Sequence, residues 1–120
     1  VYAVADYITV NISSPNTPHL RQLQNQHELL HLLTALKKAQ QELAQTQQKK
    51  VPLVVKIAPD LSPDDLAAMA KVFLDCAIDG VIATNTTLQR EGLKEIHHAQ
   101  EPGGLSGKPL FELSTKIVHQ

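Results

Sequence analysis

Tryptophan is missing from this 120-residue chain, and only two Tyr and two Phe are present, so any core must be built from Leu, Ile, Val and Ala. Cysteine occurs once, at Cys76, which excludes an internal disulfide and a cysteine-based zinc site and fits a reducing compartment. Charge of one sign is lacking too. Eleven Lys and Arg stand against twelve Asp and Glu, with no basic block and no interleaved aromatics, so nucleic acid is not an expected partner. No apolar run approaches the ~18 residues that span a bilayer, and no signal peptide is recognisable. The chain opens at Val1 without Met and runs almost at once into the strand-like Tyr7-Ile8-Thr9-Val10. We read that abrupt start as a cut from something longer.

What is present is ordinary for one soluble domain with a modest core, at 42% apolar and 19% charged residues. Tyr7 to Ile12 is rich in β-branched residues and precedes the loop signal Ser13-Ser14-Pro15-Asn16-Thr17-Pro18. From about Asn25 to Gln48 the pattern is helical, with Leu29, Leu32, Leu33, Leu36 and Leu43 forming one apolar stripe. The Gln-rich stretch from Gln40 to Lys50 reads as its solvated end. Val51 to Ile57 is apolar almost without alternation, as a buried strand is. Ser62 then serves as N-cap, with Pro63 at the first helical position and acids in the first turn. Leu66, Met69, Ala70, Phe73 and Ala77 make that helix's buried face. Asp79-Gly80 ends it, and Val81 to Thr84 is a third strand. A long polar loop from Asn85 to Lys108 ends in Gly103-Gly104-Leu105-Ser106-Gly107, and a last helix starts near Pro109 and runs off the end. Strand and helix in alternation imply parallel strands with right-handed crossovers, an α/β architecture.

Each strand ends in polar residues on its C-terminal side: Asn11 and Ser14, then Lys56, then Thr84, Asn85 and Thr86. In parallel α/β folds those ends share one face, where small-molecule sites are built. Asn and Ser after a strand also serve as turn residues, and an ST-turn would account for the last group. Lys56 interrupts a buried strand and so needs a polar or charged partner; it suits anion binding or Schiff-base chemistry. The glycines at 103 to 107 allow close backbone approach, yet the loop is neither a dinucleotide fingerprint nor a Walker loop. His27-Glu28-Leu29-Leu30-His31 spells a zinc-protease pattern, but at ~100° per residue its histidines fall opposite the leucine stripe and face water. His97-His98 offers no telling third ligand, so no metal is expected. His19 and His119 read as surface residues and Cys76 as a packed one.

Four segments, Asn11-Ile12-Ser13-Ser14-Pro15-Asn16-Thr17, Lys56-Ile57-Ala58-Pro59-Asp60, Ile82-Ala83-Thr84-Asn85-Thr86-Thr87 and Gly103-Gly104-Leu105-Ser106-Gly107, together resemble class 2 dihydroorotate dehydrogenases in order and spacing. The resemblance spans the whole chain. It implies about three strand–helix units of a TIM-type (β/α)8 barrel, the central part of a single FMN-binding domain with both ends of the barrel missing. It implies FMN-dependent oxidation of dihydroorotate to orotate, with a quinone as electron acceptor, in pyrimidine biosynthesis. Ser14 takes the place of the base that removes the C5 proton, with Thr17 in support. The absence of cysteine from this loop favours class 2. Asn11, Asn16, Asn85 and Thr86 take the positions that hold the pyrimidine. Asn11, Lys56, Thr84, Ser106 and Gly107 take positions against FMN. The family's pattern further implies a membrane-associating extension before Val1, hence peripheral attachment to a bacterial or mitochondrial inner membrane. Two other readings stand beside it: an inactive fragment that binds no flavin by itself, and an aldolase-like enzyme with Lys56 as its Schiff-base lysine.

Overall fold

Three short strands lie side by side in chain order, all parallel: β1 (Ile8–Asn11), β2 (Leu53–Ile57) and β3 (Gly80–Ala83). The computed structural model describes residues 1–91, 93 and 101–120; His97 and His98 lie outside these. Helices α1 (Gln26–Gln47), α2 (Pro63–Asp75) and α3 (Lys108–Val118) follow the three strands in turn. Short 3-10 turns occupy Tyr2–Val4 and Leu20–Gln24, neither of which shows in the sequence pattern.

The helix starts follow local chemistry. The Asn25 side chain accepts from His27 N at 3.1 Å, and Ser62 Oγ accepts from Asp65 N at 3.1 Å, each satisfying a backbone donor that the first turn leaves unpaired. Leu29 and Leu33 of α1 and Met69, Val72 and Phe73 of α2 meet Val55, Ile57 and Ile12 in one cluster, which Ile117 of α3 completes. Burial of each large apolar side chain contributes about 1.5–3 kcal/mol. All three helices therefore pack on one face of the sheet. The alternate residues point the other way: Asn11, Lys56 and Ile82 are register partners across the three strands and share the face that no described helix covers. In a closed barrel that face is the interior.

Some expectations are corrected. Leu43 is 40% exposed, because α1 outruns the sheet it packs on, and it is Gln40 that is buried. On α2, Ala70 is exposed and Val72 takes its expected place, while Ala77 lies beyond the helix at φ 50°. The last helix closes at Val118.

At the N-terminal end of the sheet sits a polar knot. Gln40 Nε2 donates to Val51 O at 2.7 Å and to Asp79 Oδ2 at 3.0 Å, and Leu53 N donates to the same carboxylate at 2.9 Å. Burial pushes the Asp79 carboxyl up, but the Leu53 and Gln40 hydrogen bonds, with Lys37 and Lys50 beside it, prevail and hold it at about 2.

Candidate active site at the strand ends

The chain leaves β1 through Ile12 and Ser13, both buried, and this anchors the loop that carries Ser14. Asn11 Oδ1 accepts from Ser13 N at 3.2 Å and from Ser13 Oγ at 2.9 Å, which leaves the Asn11 Nδ2 as a donor at the site. Ser14 is half-buried. Its Oγ accepts from Asn16 N at 3.3 Å and lies 3.5 Å from Thr17 Oγ1, long contacts at the weak end of the range.

From β3, Asn85 reaches across. Its backbone N donates to Ile57 O at 2.8 Å, and its Nδ2 donates to Ser13 Oγ at 3.0 Å, so the loops after β1 and β3 meet across the end of β2. Asn85 Oδ1 in turn accepts from Thr86 N at 2.8 Å and from Thr86 Oγ1 at 3.3 Å. Thr84 Oγ1 donates to Asn85 O at 2.8 Å. The Lys56 side chain, in the row between Asn11 and Ile82, makes no hydrogen bond or ion pair among the described residues.

The structure thus gathers Asn11, Ser14, Asn16, Asn85 and Thr86 at the strand ends, with Lys56 on the adjoining open face. Ser106 and Gly107 stand apart. Leu105 forms an antiparallel bridge with Thr87, and Gly104 packs against Thr86 and Pro15, but neither Ser106 nor Gly107 is hydrogen-bonded to the cluster. Gly107, at φ 78°, precedes α3 instead.

Several residues escaped the sequence reading. Ser13 joins the two asparagines, and Arg21 pairs with Asp60 at 2.7 Å beneath the cluster. Thr87 is 2% exposed and donates from Oγ1 to Asp60 Oδ1. Arg90 holds the glycine loop through Gly103 O at 2.6 Å. One signal was available: Arg21 and Arg90 are the only arginines in the chain. His27, Glu28 and His31 are exposed on α1, and among the described residues no three His, Cys, Asp or Glu come together as a metal site.

Sequential parallel strands with helices on one side and a polar cluster at the C-terminal strand ends match a section of a TIM-type barrel. The chain belongs to the dihydroorotate dehydrogenase family, whose model matches residues 1–120. A dihydroorotate dehydrogenase (quinone) from Aeromonas hydrophila is 57% identical over 120 residues, covering 100% of this chain and 36% of that protein. One from Cupriavidus taiwanensis is 56% identical over 118 residues, 98% of this chain and 34% of its own length. The ligand-free DHODH crystal structure from Eimeria tenella superposes with a TM-score of 0.89 at 40% identity, covering 98% of this chain and 35% of that one. The chain therefore spans about a third of the length of the relatives it matches.

Proposed function

We propose that this chain is the central section of a single FMN-binding barrel domain that oxidises dihydroorotate to orotate and passes the electrons to a quinone, a step of pyrimidine synthesis. One observation carries the reading: the Asn85-to-Ser13 hydrogen bond at 3.0 Å brings the loop bearing Ser14 and the loop bearing Asn85 and Thr86 together across the end of β2. The names of the relatives supply the substrate and the acceptor.

In this reading Ser14 Oγ removes the proton from C5 of dihydroorotate. A serine hydroxyl is a weak base near neutral pH, so it needs help. Donation from Asn16 N favours negative charge on Ser14 Oγ, and the exposed Thr17 hydroxyl gives its proton a path to solvent. With Asn11 Oδ1 engaged by Ser13, its Nδ2 remains as a donor suited to the carbonyl or carboxylate oxygens of the pyrimidine, with Asn16, Asn85 and Thr86 completing the set.

The donor set also fits a flavin. The open row of Asn11, Lys56 and Ile82 runs across the three strands, with a cation at its centre that has no partner among the described residues. That cation suits a group that gains negative charge on reduction. Asn11, Lys56 and Thr84 would hold the ring, with Ser106 and Gly107 approaching through the backbone. FMN, when bound, supplies the acceptor for the hydride that leaves C6. Quinones with long tails dissolve in bilayers, so the full-length protein meets an inner-membrane surface; no described helix is long and apolar enough to cross one.

Ser14→Ala in the full-length protein tests the assignment. Turnover falls by about 10²–10⁴-fold while FMN stays bound. Near-normal turnover removes Ser14 from the role. A second reading, favoured by outer edges of β1 and β3 that pair with no described strand, is that the 120 residues alone bind no flavin.

A further inference from the structure

The segments that follow all three strands close on a single guanidinium. Arg21 Nε donates to Ser13 O at 3.1 Å, its NH1 to Asp60 Oδ2 at 2.7 Å and its NH2 to Thr86 O at 3.1 Å. Asp60 is engaged on both oxygens: Oδ2 also accepts from Leu88 N at 3.0 Å, and Oδ1 accepts from Thr87 Oγ1. The two side chains are only 20% and 18% exposed, so this is not a solvated surface pair of little consequence. The two carbonyls that Arg21 holds belong to the residue before Ser14 and the residue after Asn85. A planar fork bonds in fixed directions, which an ammonium does not reproduce.

We propose that Arg21, clamped by Asp60, is the positioning residue that sets Ser14 against Asn85 and Thr86 in the reaction proposed above, on which this inference rests. Arg21 touches no reacting atom. It acts through the carbonyls of Ser13 and Thr86, fixing the distance between the base on one loop and the amide on the other. Loss of the fork frees the Ser13 carbonyl and lets Ser14 drift, while Asn11 and Asn85 keep their hydrogen bonds to the Ser13 side chain. Proton removal then suffers more than ligand binding, since a displacement near 1 Å costs about 10²-fold in rate.

The test uses the full-length holoenzyme carrying Arg21→Gln, Arg21→Lys or Asp60→Asn, alone and with Arg21→Gln and Asp60→Asn combined. Flavin reduction is followed by absorbance after mixing with dihydroorotate deuterated at C5 or at C6. Orotate affinity, FMN content and backbone amide exchange at residues 13–17 and 85–88 are read alongside. R21Q slows flavin reduction by about 10²-fold and raises the isotope effect at C5 but not at C6, while orotate affinity changes less than about 3-fold. Exchange quickens at 13–17 and 85–88 and holds steady at 53–57. R21K is slow as well, and the double variant loses no more than R21Q, as expected of one unit. Should R21Q fail to retain FMN, R21K, which keeps a charge beside Asp60 but not the fork to both carbonyls, carries the same comparison. Unchanged reduction in R21Q overturns the inference. So does a parallel loss of orotate affinity, FMN and exchange protection across the strands, which marks a merely structural role. A wild-type holoenzyme that leaves its flavin oxidised in dihydroorotate sinks the functional reading itself, and the inference with it.

Discussion

Asp79 shows how much of the fold rests on single polar side chains. Its carboxylate takes the Leu53 N–H and the Gln40 amide and has Lys37 at 3.6 Å and Lys50 at 3.4 Å. Its folded pKa of about 2 lies below the ordinary 3.8. A depressed acid contributes stability that is complete above its unfolded pKa and is lost as pH falls through the folded one. The window here is therefore pH 3.8 down to about 2. With the side chain still 20% exposed, the contribution after solvent screening is about 1–2 kcal/mol. Urea unfolding at stepped pH checks this: Asp79→Asn is less stable than wild type at pH 5, and the gap narrows toward pH 2. A gap that stays constant over that window refutes the assignment. Asp79 was read from the sequence only as the end of a helix, and Gln40 as one glutamine in a polar tract. Nothing in a run of glutamines distinguishes the one whose position on the helix turns it toward the sheet.

Among elements, those with local causes were legible. The runs of β-branched residues and the Ser62 cap before Pro63 each act within a few positions, and the strands and helix starts stand near where these signals put them. Helix α2, however, ends at Asp75, ahead of the expected Asp79-Gly80, and Gly80 opens β3 instead. The strand-end argument also named Asn11, Ser14, Asn85 and Thr86, which the loops bring together, whereas Asn16 entered only through the family resemblance. Contacts between loops were not legible. Arg21 and Asp60 are separated by 39 positions and lie in segments without periodicity, so no pattern pairs them. The Gly103-to-Gly107 loop belongs to the same class. It reads as a flexible turn, yet a methyl group at Gly104 would come within 1.9 Å of Thr86 Oγ1 and 2.6 Å of Thr86 Cβ. The second atom cannot swing aside by rotation. Gly104→Ala must therefore displace Thr86 or the loop, at a cost of about 1–3 kcal/mol. In the full-length protein we expect orotate to bind at least about 10-fold more weakly, by titration of the flavin spectrum. Gly80, where a methyl group would meet only the Val54 side chain, with Cγ2 at an ordinary 3.5 Å, is the control for space.

At the scale of the whole molecule, the sheet is open on both edges and on one face among the described residues. Its three strands pair only with one another there, and no described helix lies over the row bearing Lys56. Unpaired parallel edges recruit other chains. The 120-residue chain alone is expected to self-associate and to leave FMN fluorescence unquenched at micromolar concentration, with or without orotate. Light scattering with fluorescence titration checks both, and quenching that tightens with orotate would show that the face assembles without the rest of the barrel. The position of Gln40 has a bearing on which lengths of chain can change. An insertion of one residue in α1 between Asn25 and Gln40 would swing that amide by about 100° away from Val51 and Asp79. The same insertion beyond Leu43 would only lengthen an arm that water already surrounds. Natural length variation in this helix should therefore gather in its last turns, leaving the span from cap to glutamine at constant count.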